Sequence, residues 1–156
     1  MITREMLSSY TKVYDGEFCT IYDMRREIPH TALALWKGFF RLENSDFLKD
    51  MKYSTNFIKD KRIKVMISDH SLLKVVTPEV LAWLHTNWYE PASKNGLKAE
   101  AILEANNIFA KATLEKMLET EKMSNIAAQK FISFDEARRF SSEFAKKMWE
   151  EIPVVY

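Results

Sequence analysis

The sequence predicts a mixed α/β domain, with a tendency towards α+β, in which N-terminal antiparallel strands precede βα units. Three observations carry this prediction. Two segments rich in aromatic and β-branched residues, 17–24 and 31–38, follow each other closely and favour paired strands. The apolar residues then change to helical spacing after Asn44. Finally, a short β-branched segment, 63–68, precedes a capped helix start at Thr77, as in a βα unit.

Composition and charge limit the classes of function. Hydrophobic residues make up 47% of the 156 residues, which is enough for one core, so we predict a single domain over residues 1–156. Lysine and arginine (23) nearly balance aspartate and glutamate (22), so we expect no binding of nucleic acid. Cys19 is the only cysteine, which excludes an intrachain disulfide. Without a signal-like or membrane-spanning apolar run, we expect a cytoplasmic protein that does not insert into membranes.

The N-terminal half predicts strands followed by a helix. Segments 17–24 and 31–38 are expected to pair antiparallel, and 10–14 is either an additional edge strand or an extension of the first strand. Asn44 or Ser45 is suited to cap a helix that lays one apolar face on the sheet. Its apolar face comprises Phe47, Leu48, Met51, Thr55 and Ile58.

The C-terminal half predicts βα units, which brings the total to about four helices. Segment 63–68 is the expected central strand, and the next helix begins with Thr77 as N-cap, Pro78 at the first position and Glu79 in the first turn. Leu81, Leu84 and Trp88 form its inward stripe, and Pro91 ends or kinks it. Later elements are predicted as a strand at 97–103, a helix at about 107–123, a strand at 130–134 and a final helix that Asp135 caps.

The sequence offers no convincing catalytic or metal-binding set. Asp69, His70 and Ser71 have the side chains of a hydrolase triad, but consecutive residues at a strand end point in different directions. His30, His70 and His85 lack the spacing of metal ligands. We therefore predict neither enzymatic activity nor a cofactor or metal, and we interpret 69–71 as a polar loop.

Two further positions have two interpretations each. Trp83 lies outside the inward stripe, so it either packs against a neighbouring helix or loop, or belongs to an aromatic contact surface. Glu100 alternates with apolar residues on a predicted strand. It is either a half-buried carboxyl with a raised pKa or, in the favoured interpretation, a side chain that points to a solvated edge or pairs with Lys98 or a neighbouring lysine.

The chain resembles small bacterial STAS-like proteins, relatives in fold of the anti-sigma-factor antagonists, and especially a compact group from Bacteroidetes-type bacteria. The resemblance covers roughly residues 14–145. The residues that carry it are Trp36-Lys37-Gly38, Asp69, Thr77-Pro78-Glu79, Trp83, Trp88, Gly96-Leu97-Lys98 and Phe134-Asp135-Glu136-Ala137. It implies a STAS-like fold and regulation through protein contacts.

The same resemblance assigns Thr77 to the phosphoacceptor region of the antagonists. In those proteins an acidic residue precedes two serines and a glycine, whereas here Val76 precedes Thr77, and Pro78-Glu79 replaces the small residues. A threonine hydroxyl that accepts a helix amide is explained by capping alone. Thr77 is thus a weak candidate for phosphorylation.

Two functions follow as hypotheses. The first is a non-enzymatic STAS-like module that contacts a protein partner or a second copy of itself, in a regulatory role, through Asp69, His70, Ser71, Thr77, Trp83 and Trp88. The second is a domain that binds a small apolar molecule or a lipid in a cleft between helix and sheet.

Overall fold

A computed structural model describes residues 2–104, 111–112, 115–116, 118 and 124–151. Their strands are β1 (Thr11–Asp15), β2 (Cys19–Asp23), β3 (Thr31–Gly38), β4 (Val65–Leu73), β5 (Ala99–Leu103) and β6 (Ala127–Phe131). The main helices are α1 (Arg4–Leu7), α2 (Ser45–Asp60), α3 (Pro78–Leu84), α4 (Glu90–Lys94) and α5 (Phe134–Glu151). A π-helical segment, His85–Tyr89, joins α3 to α4.

The strands form one mixed sheet whose spatial order follows the chain, β1-β2-β3-β4-β5-β6. β1, β2 and β3 pair antiparallel, and β3 to β6 are parallel. The predicted fold class is confirmed. β1 is a separate edge strand, and β3 has the predicted bounds.

Helices cover both faces of the sheet. The first core lies between one face and the layer of α2, α3, the π-helical segment and α4, with Phe47 and Trp88 among its largest side chains. The second core lies between the opposite face and α5, which contributes Phe134 and Ala137. Because successive side chains of a strand point to opposite faces, each central strand supplies both cores. The domain therefore has three layers.

The strand predicted to end at Ser68 instead continues to Leu73. Asp69 and His70 are both buried inside β4, and the pairing with β3 continues to Gly38 opposite Leu73. The interpretation of 69–71 as a polar loop was therefore wrong, because polar side chains were interpreted as solvated when the neighbouring strand and the helices enclose them.

Two C-terminal predictions also need correction. β6 spans Ala127–Phe131 rather than 130–134, because a largely exposed edge strand does not require an apolar pattern. The cap of α5 is Ser133, whose Oγ accepts a hydrogen bond from Glu136 N at 3.2 Å, so the assignment of the cap to Asp135 was wrong. Most of the helix predicted at about 107–123 lies outside the described residues. The residues described within this range, 111–112, 115–116 and 118, are helical.

A buried carboxylate joins the β1–β2 hairpin to α2 through hydrogen bonds. Asp50 of α2 accepts hydrogen bonds from Phe18 N at 2.8 Å and from the Tyr14 hydroxyl at 2.5 Å. Burial, and then the hydrogen bond to Asp50, raise the pKa of Tyr14. Gly16 lies against this carboxylate, because a Cβ on Gly16 would be only 2.6 Å from Asp50 Cγ.

We expect Gly16→Ala to lower the free energy of unfolding by about 1–3 kcal/mol, since the added methyl displaces a carboxylate that satisfies buried donors. Urea denaturation of the variant against wild type measures this. Glu17→Ala, at the exposed neighbouring position, is the control and should stay within about 0.5 kcal/mol of wild type. A similarly small effect of Gly16→Ala would mean that Asp50 moves aside at no cost.

Candidate functional site

A small cavity lies in the first core, between the sheet and the π-helical segment. We call it the polar cavity. Its lining residues are Trp36, Phe40, Met51, His70, Leu73, Leu84, Trp88, Tyr89 and Glu100. The cavity has a volume of about 20 Å³, so it admits one or two water-sized groups.

The pleat of the sheet determines which polar side chains reach this cavity. Ser68 and His70 alternate with residues of the second core along β4, and Glu100 of β5 lies opposite Met66 of the first core. Ser68 Oγ donates a hydrogen bond to Glu100 Oε2 at 2.5 Å. Glu100 is only 2% exposed. The interpretation of Glu100 as a side chain at a solvated edge was therefore wrong, since β5 lies between β4 and β6.

His70 contributes an uncharged imidazole to the cavity at neutral pH. The residue is 4% exposed, and burial lowers its pKa to about 4. A neutral imidazole presents one N–H donor and one nitrogen acceptor. No side-chain hydrogen bond joins the His70 ring to the described part of the chain, which leaves both ring nitrogens available to a group in the cavity.

The roof of the cavity is the π-helical segment. Trp88 Nε1 donates to Ser54 Oγ of α2 at 2.8 Å, and Ser54 Oγ donates onward to Met51 O at 2.7 Å. The Trp88 ring also meets that of Trp36 edge to face, with centroids 5.8 Å apart. These contacts place the aromatic face of the roof directly above the sheet.

The helical stretch continues past Pro91 instead of ending there. Glu90 N donates to His85 O, five residues back, and the α-helical pattern resumes when Asn95 N donates to Pro91 O. Pro91 thus occupies the first turn of α4, where a missing amide hydrogen costs least. π-helical turns occur frequently at functional sites.

The six residues predicted as a partner surface do not lie on one exposed surface. His70 and Trp88 are buried in the first core, and Asp69, on the opposite face of β4, is also buried. Ser71 and Asp69 interact with each other, since the Ser71 amide and hydroxyl both donate to the Asp69 carboxylate at 3.0 Å. Three of the six residues are thus buried, and a contact surface for a partner stays a prediction.

The other two residues are closer to their predictions. Thr77 is the N-cap of α3, and its hydroxyl accepts a hydrogen bond from Val80 N at 3.3 Å. Trp83 is half-buried outside the inward stripe, and its ring lies 5.5 Å from that of Phe47 on α2. The contact with Phe47 supports the packing interpretation of Trp83. Phosphorylation of Thr77 stays a prediction.

We expect Thr77→Ala to lower the free energy of unfolding by about 0.5–2 kcal/mol, because the Val80 amide loses its acceptor. Thr77→Asp should be nearly neutral, since aspartate also caps and its charge suits the positive end of a helix. Chemical denaturation of both variants provides the measurement, with Lys74→Ala, at an exposed position, as control. Equal losses for Thr77→Ala and Thr77→Asp would contradict the capping role.

Sequence reasoning missed Glu100, Ser68 and Tyr89 as members of a common site. The available signal was weak: each is a polar or amphipathic residue at an inward position of a strand or helix. In the described ranges, no group of three or more histidine, cysteine, aspartate or glutamate side chains is placed to bind a metal ion. None of the helices described has both the length and the apolar character to cross a membrane.

The chain was also compared with known proteins. No family model, curated protein or solved structure matches it. The resemblance to STAS-like proteins therefore stays a prediction.

Proposed function

We propose that the protein is a small-molecule-binding domain whose ligand occupies the polar cavity. One observation carries the proposal: two ionisable side chains, Glu100 and His70, lie buried in a cavity that aromatic and aliphatic residues otherwise line. Burying such groups costs stability. Apolar pockets with a few convergent polar groups are the usual form of ligand sites, and buried ionisable groups concentrate there.

The size of the cavity favours a small ligand over a lipid. A group larger than one or two waters requires the side chains of Leu84, Trp88 and Tyr89 to move outwards. These three residues belong to α3 and the π-helical segment, where the hydrogen-bond pattern changes from four- to five-residue spacing and back. Entry of the ligand through the roof is consistent with this irregularity.

Native mass spectrometry of the protein purified from cells tests the proposal. We expect a co-purifying mass that disappears on denaturation. In the matched variant Leu84→Phe, which fills the cavity from its roof, the adduct should be lost although the protein remains folded. A wild type without an adduct, whose stability no small molecule from a cell extract alters, would contradict the proposal.

A second candidate function is that of a protein-contact module, and a separate observation favours it. Leu72 is 63% exposed and Val75 38% exposed, at the end of β4 and just beyond it. Exposed aliphatic residues so close together favour an interface with a protein partner or a second copy. The regulatory, STAS-like role inferred from the sequence belongs to this candidate.

Sedimentation velocity at several concentrations tests self-association. Under this candidate, Leu72→Ser should shift a concentration-dependent dimer towards monomer without loss of the fold, because Leu72 is largely solvent-exposed. Trp83→Ala is less suitable, since Trp83 packs against Phe47. A wild type that remains monomeric at the highest concentration would remove the second copy as a partner.

A further inference from the structure

The imidazole ring of His70 lines the polar cavity and offers hydrogen bonds to its contents. The residue is 4% exposed, and no side-chain hydrogen bond reaches its ring from the part of the chain that the structure describes. Burial alone lowers the pKa of His70 to about 4, so the ring is uncharged at neutral pH. A buried polar group without a hydrogen bond costs stability, and a ligand that bonds to the ring recovers that cost.

The rest of the lining suits an uncharged ligand. Apart from His70 and Glu100, the described lining residues are aromatic or aliphatic, and none of them is a lysine or an arginine. The Trp88 indole N–H already donates to Ser54 Oγ at 2.8 Å, and Glu100 Oε2 accepts from Ser68 Oγ at 2.5 Å. Burial favours the uncharged form of a carboxyl group. An ionic ligand would therefore give up its hydration for largely apolar surroundings, at a high cost.

We infer that the polar cavity selects an uncharged hydroxyl group, the end of a small alcohol, over carboxylates and ammonium groups of similar size, and that His70 binds this hydroxyl. The inference rests on the proposed function. A neutral imidazole has one nitrogen that donates and one that accepts, and a hydroxyl can pair with either of them. A carboxylate can only accept and an ammonium group can only donate. The carbon that carries the hydroxyl contacts the rings of Trp36 and Trp88, which meet edge to face.

A titration of the wild-type chain with four small probes tests the selection. Methanol carries the hydroxyl, sodium formate and methylammonium chloride carry the two charges, and xenon has no hydrogen-bonding group. Sodium chloride keeps the ionic strength constant. The NMR signals of the His70 ring nitrogens and of the Trp88 indole N–H report binding at the cavity. For so small a ligand we expect a dissociation constant of about 10–100 mM for methanol. Formate and methylammonium should bind at least about tenfold more weakly.

The variant His70→Leu tests the imidazole itself. Leucine has a similar volume but no nitrogen, so methanol should bind about tenfold more weakly, whereas xenon, which needs only an apolar void, should still bind. Ile67→Val is the matched control, because Ile67 is buried on the same strand but belongs to the second core. It should keep the methanol affinity of wild type within about twofold. The comparison of the four probes uses wild type, so it decides the question even where His70→Leu fails to fold.

The outcomes separate this inference from the function on which it rests. Binding of formate or methylammonium as tight as that of methanol would overturn the selection of an uncharged hydroxyl and leave a small-molecule site. Binding of xenon without binding of methanol would also overturn it, since the cavity would then accept only apolar groups. If none of the four probes shifts the cavity signals, the hydroxyl inference fails, whereas native mass spectrometry decides the small-molecule proposal separately.

Discussion

Trp88→Ala is expected to lower the free energy of unfolding by about 3–5 kcal/mol, the cost of truncating a large side chain inside a well-packed core. Trp88 is among the largest fully buried side chains and is 2% exposed. It contacts Trp36 and Tyr89 through its ring and Ser54 through its indole N–H. The substitution therefore removes the contact between the π-helical segment and the sheet together with a buried hydrogen bond.

Urea unfolding, followed by circular dichroism, measures the loss. Trp88→Phe is the matched control, because phenylalanine keeps most of the aromatic contact but cannot donate to Ser54. Its expected cost is about 1–2 kcal/mol. The cost stays moderate because the Ser54 hydroxyl still donates to Met51 O.

The same pair of variants separates packing from hydrogen bonding at the roof. If Trp88→Ala costs less than about 1 kcal/mol, the π-helical segment is not packed on the sheet as described. If Trp88→Phe costs as much as Trp88→Ala, the indole hydrogen bond, rather than the ring, holds the roof in place.

The sequence predicted those elements that depend on interactions between residues close together in the chain. Asn44 caps α2 through bonds to Asp46 N and Phe47 N, and the Thr77 cap is present as predicted. Both rely on side-chain oxygens within three residues of the amides they satisfy. β3 was predicted from its uninterrupted run of apolar residues, Ala32 to Trp36.

The remaining errors come from tertiary contacts that a single strand or helix does not encode. Glu100 alternates with alanines, a pattern typical of a strand with one solvated face, but α5 and the opposing helical layer cover both faces of the sheet. Similarly, the polar side chains of Asp69 and His70 are typical of a loop, and only the pairing of β4 with β3 shows that they belong to a strand. The candidate site was missed for this reason, since it consists of polar residues whose burial depends on elements distant in the chain.

Acidification is expected to destabilise the wild type more than His70→Gln, by up to about 3 kcal/mol between pH 6.5 and pH 4. Burial lowers the pKa of His70 from its ordinary value of 6.5 to about 4. Within that range the unfolded chain binds a proton at His70 and the folded chain does not, so stability falls as the pH falls. Above pH 6.5 the contribution is fully present, and below about pH 4 it is lost.

Urea denaturation of wild type and His70→Gln at several pH values from 7.5 to 4 measures this difference. The other titrating groups of the chain are present in both proteins, so subtraction of the two curves removes the contribution of those distant from His70. Parallel curves for wild type and His70→Gln would mean that the folded protein protonates His70 as readily as the unfolded chain does. The cavity would then be open to water, and the water-excluding surroundings on which the proposed ligand site depends would be absent.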